Sequence, residues 1–277
     1  MAKKCLYEDS ECEKRFMETL KTYPQQMYLL QLMRKSFKDS SLDSDVIWIL
    51  FNYTFNRKFK IDDENANLID KPNIEVDIIG GKCASIIVSN ATQPQHIPLL
   101  NFITAIEVKC SIFDNGEENE EKKLKAKQRD DEQRAIQKQL YDRLKMGFNK
   151  VSLLELLVTN QGKGQNSDAW LNASYNATIP YDIMEKDEIF KNRLSNESLT
   201  AVGHYVFKKG SVKKDEINEF LSGSGEVVVK KETKLNPFLK DEYTIRNRKI
   251  IEEALNRDLS KVYFYRIRGS VQYFVST

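Results

Sequence analysis

Two short runs decide how this chain reads: Ile74-Glu75-Val76-Asp77-Ile78-Ile79, and Ile103-Thr104-Ala105-Ile106-Glu107-Val108-Lys109-Cys110. Both are rich in β-branched and aliphatic residues, the composition of buried strands. Side chains alternate faces along a strand. Glu75 and Asp77 are therefore expected on one face of the first run, with Ile74, Val76 and Ile78 on the other. Glu107 and Lys109 share a face of the second, opposite Ile106 and Val108. Charges inside such runs are costly unless they are paired or bind a metal. If the two strands are neighbours, Asp77, Glu107 and Lys109 converge. Two carboxylates and a lysine at one point can hold a divalent cation and position a water.

That arrangement resembles the PD-(D/E)XK nuclease superfamily, whose pattern is an Asp on one core strand and Glu/Asp-x-Lys on the next, then a helix and another strand. The matching positions are Asp77, Glu107 and Lys109, within residues 40–160. The resemblance implies an α/β fold with a mixed central sheet flanked by helices, restriction-endonuclease-like. It also implies Mg²⁺-dependent hydrolysis of DNA phosphodiester bonds, with Mn²⁺ able to substitute. Asp77, Glu107 and the backbone carbonyl of Val108 would hold the metal. Lys109 would orient or deprotonate the water, or stabilise the phosphorane. On the following helix, Gln137 and Tyr141 form Gln-x-x-x-Tyr, which looks like the extra motif of RecB-type and lambda-exonuclease-type members and makes both supporting residues. Many members carry a Glu on the helix before the first core strand. The helix expected here at 45–57 has none, and Asp43 and Asp45 read as N-caps, which leaves Glu75 as the candidate third carboxylate.

Glu-x-Lys is a cheap pattern in a chain with 30% charged residues. It recurs at Glu120-Glu121-Lys122, Glu121-Lys122-Lys123 and Glu232-Thr233-Lys234. Only Glu107-Val108-Lys109 lies in a β-branched run, follows an Asp-bearing strand and precedes a long helix. The plain alternative is a salt bridge between Glu107 and Lys109 on a solvent-facing strand. The functional alternative is a catalytically inactive nuclease-fold module that binds DNA or a protein.

Around this core the chain reads as follows. Residues 10–37 suit helices broken at Tyr23-Pro24, with Met27, Leu30, Met33 and Phe37 as a buried stripe. A short strand at 58–62, closure of the Asp77 strand at Gly80-Gly81, a further strand at 83–89 and a proline loop at 90–101 follow. Residues 114–125 read as a solvated loop or frayed helix start, 126–147 as a helix striped by Ile136, Leu140, Leu144 and Phe148, and 151–159 as a buried strand. Residues 160–180 look irregular. The expected division is a nuclease-like core over 1–199 and an α+β accessory region over 200–277, loosely winged-helix-like. That region has a helix near 213–221, a strand at 226–231, a helix at 243–257 and a hairpin at 262–275.

Composition bounds the function classes. Lys and Arg total 43 against 41 Asp and Glu, a net charge of +2, so this is not a strongly basic nucleic-acid binder. Residues 201–277 nevertheless hold 15 Lys and Arg against 10 Asp and Glu, a surface suited to phosphate. Lys163, between Gly162 and Gly164, and Arg266 and Arg268 in the hairpin are the candidate nucleic-acid contacts. Cys5, Cys12, Cys83 and Cys110 form no C-x-x-C pair, which argues against zinc and for reduced thiols in a cytoplasmic enzyme. His96 and His204 stand alone. No Walker motif or dinucleotide fingerprint is present, and no run is long and apolar enough to span a membrane. DNA is the expected partner and a homodimer is possible. A lone nuclease of this kind suits restriction or mobile-element defence.

Overall fold

The structure, a computed structural model, describes residues 3–8, 10–22, 29–37, 46–60, 73–86, 95–116, 120–159, 201–208, 226–266 and 273–275. The strands are β1 (Lys3–Glu8), β2 (Val46–Phe55), β3 (Ile74–Ile86), β4 (Gln95–Gly116), β5 (Lys150–Thr159), β6 (Gly203–Lys208), β7 (Glu226–Lys231), β8 (Tyr263–Arg266) and β9 (Tyr273–Val275). The helices are α1 (Ser10–Thr22), α2 (Leu29–Ser36), α3 (Glu120–Met146) and α4 (Glu242–Arg257), with a 3₁₀ turn at Leu259–Lys261.

All nine strands join one sheet, in the order β7-β6-β5-β4-β3-β2-β8-β9, with β1 pairing β4 as well. β2, β3 and β4 are antiparallel neighbours, and β5 lies parallel to β4. A parallel pair needs a crossover, and α3 supplies it. β6 continues parallel to β5, whereas β7, β8 and β9 are antiparallel to their neighbours. The fold is α/β with a mixed sheet. Two apolar layers cover it. Phe16, Leu20, Leu30 and Met33 of α1 and α2 pack with Ile47, Ile49, Ile78, Ile106 and Val108. Leu140 and Leu144 of α3 and Ile251 and Leu255 of α4 pack with Trp48, Ile79, Ala105, Val151 and Leu153.

Several expectations change. The run expected as a helix at 45–57 is the strand β2. A continuous apolar run buried on both faces carries no periodicity that separates helix from strand, and its Val, Ile, Trp, Phe and Tyr content favours the strand. Gly80-Gly81 does not close β3 but lies within it. A Cβ on Gly80 would fall 2.0 Å from the Met33 methyl, and one on Gly81 2.5 Å from the Trp48 indole nitrogen, so these glycines admit side chains from both layers. Residues 95–101, expected as loop, belong to β4, and the hairpin runs from Gly81↔Ile103 out to Ile86↔Gln95. No inserted strand therefore separates Asp77 from Glu107. Residues 114–116 extend β4, and α3 starts at Glu120. Residues 58–60 are not strand. The end of α3 at Gly147 (φ 99°), β5, β7, α4 and the β8–β9 pairing match expectation, and the expected break at Tyr23-Pro24 lies outside the described residues. The expected helix near 213–221 lies outside the described residues.

Strands from the expected accessory region extend both ends of this one sheet, β6 on β5 and β8 on β2. The β8–β9 hairpin is thus docked on β2 rather than standing off as a wing. Cys83 is a free, buried thiol, but Cys110 is disulfide-bonded, so the reading of all four cysteines as reduced is corrected.

Candidate active site at the split edge of β4

β4 changes partner along one edge. β3 pairs with it as far as Ile106, opposite Ile78, and β1 takes over at Ser111, opposite Glu8. The other edge is covered by β5 over Thr104–Phe113. Among the described residues, no strand pairs with residues 107–110 on the β3 side. A buried backbone N–H needs an acceptor, and the N–H of Val108 donates to Asp77 Oδ2 at 2.7 Å. The carboxylate of Asp77 stands where its own strand's carbonyl would have been.

The cause lies one strand away. Asn52 on β2 sits between the pairs Phe51↔Ile78 and Tyr53↔Val76, across from Asp77, and has φ 51°. A left-handed residue inside a strand kinks it. Both strands change parity there: Phe51 and Ile78 join the α1/α2 layer, Tyr53 and Val76 the α3/α4 layer. The simple alternation that put Ile74, Val76 and Ile78 on one face is thereby corrected, and Asp77 is turned along the sheet toward β4.

Glu107 is fully buried. Its Oε1 accepts from Arg143 Nε at 2.5 Å and its Oε2 from Gln139 Nε2 at 2.6 Å. Residues four apart share a helix face, so α3 delivers both donors at once. Arg143 Nη2 also donates to the carbonyl of Glu75 at 2.5 Å, tying α3 to β3. Lys109 extends its ammonium to 3.3 Å from both carboxylate oxygens of Glu13 on α1. Burial and the charge of Glu107 push the Asp77 carboxyl well above the usual carboxylate range; Lys109 and the Val108 N–H pull it back, and Glu13 raises it further. Asp77, Glu107, Lys109 and Glu13 thus form one electrostatic group.

The resemblance raised the question of a hard cation. Among the described residues no three His, Cys, Asp or Glu side chains close around a point by themselves. Mg²⁺ does not require such a cage: it binds through one or two carboxylates, keeps several waters and takes the rest from substrate phosphate. The donor set fits. Burial and the neighbouring Glu107 disfavour charge on Asp77, a penalty that a cation there would relieve, and the carbonyl of Val108 leaves β4 on the same edge as its N–H, toward Asp77.

The structure brings Asp77, Glu107, Val108 and Lys109 together. It gives Glu75 a different part, an exposed side chain whose carbonyl anchors Arg143. The extra carboxylate in the group is Glu13, which sequence reasoning missed. It stands on α1, a helix that precedes the first central strand, whereas the sequence predicts that helix at 45–57, where β2 lies. Gln137 and Tyr141 are buried on α3, and Tyr141 packs edge-on against Phe238 with ring centroids 5.8 Å apart. The helix residues on Glu107 are Gln139 and Arg143, the same spacing two positions on. Arg266 lies opposite Val46, six residues along β2 from Asn52 and so about 20 Å from the Asp77 row. Lys163 and Arg268 fall outside the described residues. His204, which looked solitary, has a buried partner: its Nε2 lies 3.2 Å from Glu155 Oε2, and Glu155 is the β5 register partner of Lys109.

No family model, no curated protein and no solved structure matches this chain. No helix among the described residues is long and apolar enough to cross a membrane.

Proposed function

We propose that this chain is a metal-dependent phosphodiesterase acting on DNA, with its centre at the split edge of β4. The observation that carries this reading is the grouping of Asp77, Glu107 and Lys109 where β3 leaves β4, with Asp77 held by the Val108 N–H. Asp77, Glu107 and the Val108 carbonyl would hold Mg²⁺, which when bound neutralises phosphate charge and acidifies a water. Arg143 and Gln139 fix the Glu107 carboxylate in one orientation. Lys109 supplies an ammonium whose charge acts on the Asp77 carboxyl. There it orients the attacking water and offsets charge on the phosphoryl oxygens. Glu13 holds that ammonium at the mouth of the site.

A second reading has its own support. Both oxygens of Glu107 already accept hydrogen bonds, which suits a nuclease fold that binds DNA without cutting it. Purified protein incubated with plasmid and with single-stranded DNA, in Mg²⁺, in Mn²⁺ and in chelator, separates the two. The phosphodiesterase reading expects metal-dependent cleavage that is lost in Asp77→Ala, Glu107→Ala and Lys109→Ala while circular dichroism is unchanged. Cleavage surviving in all three variants refutes the site, and DNA binding without cleavage in either metal favours the inactive module.

A further inference from the structure

Among the described residues, no strand pairs with β2 on its outer edge beyond Ile49. β8 pairs only with Val46–Ile49, and a cavity of about 400 Å³ opens beside residues 50–56. That volume lies within the roughly 300–1,000 Å³ of small-molecule sites. Its polar wall includes Lys21, Asn52, Lys261 and Asp258, and its aromatic wall includes Tyr263.

The charges do not cancel. Lys261 bonds Asp258 Oδ1 at 2.6 Å, and Asp258 Oδ2 accepts from the Tyr53 hydroxyl at 2.8 Å. Lys21, at the end of α1, has no carboxylate partner among the described residues; its ammonium stands 6.0 Å from the Tyr263 ring centroid. Two ammoniums and one carboxylate leave one positive charge, the complement of one phosphodiester. The Tyr263 ring is held edge-on by Phe51, centroids 5.9 Å apart, so it is a fixed surface. Asn52 is exposed and carries the φ of 51°. Its amide can both donate and accept. Strained backbone of this kind collects at functional sites.

The position matters as much as the chemistry. β2 and β4 flank β3, so Asn52 on the cavity wall lies about two strand spacings, roughly 10 Å, from Glu107. A stacked strand advances about 3.4 Å per nucleotide, which places the cavity two or three steps from a phosphate held at Asp77. A cavity of this size takes one base rather than a base pair, and a base can lie on Tyr263 only when it is unstacked.

We infer that this cavity binds one nucleotide of a single-stranded segment two or three steps from the bond being cut. Lys21 contacts its phosphate, Tyr263 its base face and Asn52 its base edge. This rests on the phosphodiesterase reading of the Asp77 group and extends it to a substrate class, single-stranded or locally opened nucleic acid.

The test is fluorescence anisotropy with a labelled oligothymidylate and with the same length of duplex, in Ca²⁺. Wild-type protein, Lys21→Ala and Asn52→Gly are compared, the last keeping the left-handed backbone while removing the amide. The single strand is expected to bind the wild type more tightly than the duplex. Lys21→Ala is expected to weaken it about tenfold and to flatten the log–log salt slope by about 0.7. Asn52→Gly weakens binding with no change in salt slope. Equal single-strand affinity and slope in all three proteins, or preference for the duplex, overturns the inference. So does competition by thymidine monophosphate as strong as by the oligomer, which would make the ligand a free nucleotide. If the phosphodiesterase reading alone fails, the Lys21-dependent binding remains and no cleavage is seen with any metal. If the cavity inference alone fails, cleavage persists in Lys21→Ala with the wild-type KM.

Discussion

Asp77 is the residue at which function and stability pull apart. Its carboxyl titrates well above the ordinary value of 3.8 because burial and Glu107 disfavour its charge. The sign follows from linkage. Below the ordinary value the group is protonated in folded and unfolded chain alike, and stability is at its fullest. As pH rises from there, the unfolded chain releases its proton first, and stability is lost until the folded-state value is passed. Asp77→Asn removes that charge while keeping an oxygen to accept the Val108 N–H. At neutral pH it is expected to stabilise the protein by about 1 kcal/mol, an increase of roughly 2–4 °C in Tm. The gain shrinks as pH is lowered toward the ordinary carboxylate range. Mg²⁺ should raise the Tm of the wild type and not that of the variant, because an ion that binds only the native state stabilises it. Scanning calorimetry from acid to neutral pH checks both; a variant melting at or below the wild type at neutral pH would sink this account of Asp77.

Among the elements, α1, α3, α4, β5 and β7 were legible in the sequence because each carries one dominant signal: a stripe, a cap or a short β-branched run. β2 was not, since residues 46–50 are buried on both faces and display no period. The length of the β3–β4 hairpin was hidden by Gly80-Gly81 and Pro98, which locally resemble turn residues. Their meaning is tertiary: Trp48 and Met33 lie over the glycines. Asp77, Glu107 and Lys109 were visible because strand alternation and spacing alone placed two of them together. Glu13, Gln139 and Arg143 were not, because which helix face meets the split edge depends on the kink at Asn52, and no local rule signals a left-handed Asn there. The glycine argument has a direct consequence. Gly81→Val forces a side chain into the Trp48 ring and is expected to destabilise by about 1–3 kcal/mol, as overpacking does. The same change at Lys82, whose side chain is half-buried beside it, should be far milder. Urea unfolding of the two variants measures the difference, and equal midpoints would mean that β3 accommodates a Cβ at residue 81 without displacing Trp48.

At the scale of the whole molecule, both ends of the central sheet are extended by strands that lie beyond residue 200. β6 covers β5, β8 covers the start of β2, and α4 shares a core with α3. Tyr205, Phe207, Phe238, Ile251, Leu255 and Phe264 are all buried there. At about 1.5–3 kcal/mol for each large apolar side chain taken from water, those six contribute roughly 9–18 kcal/mol. A domain's entire net stability is about 5–15 kcal/mol. The division after residue 199 that composition suggested therefore should not separate two autonomous folding units. A fragment of residues 1–199 is expected to lose near-UV circular dichroism and cooperative unfolding, while the full chain unfolds in one transition. Adding residues 200–277 in trans should restore structure to the fragment only by rebuilding the β5–β6 and β2–β8 pairs, so the regain depends on the concentration of both pieces. A fragment 1–199 that melts cooperatively near the full-chain temperature would show that the edge strands are accessories after all, and that the Asp77 group stands on a smaller scaffold.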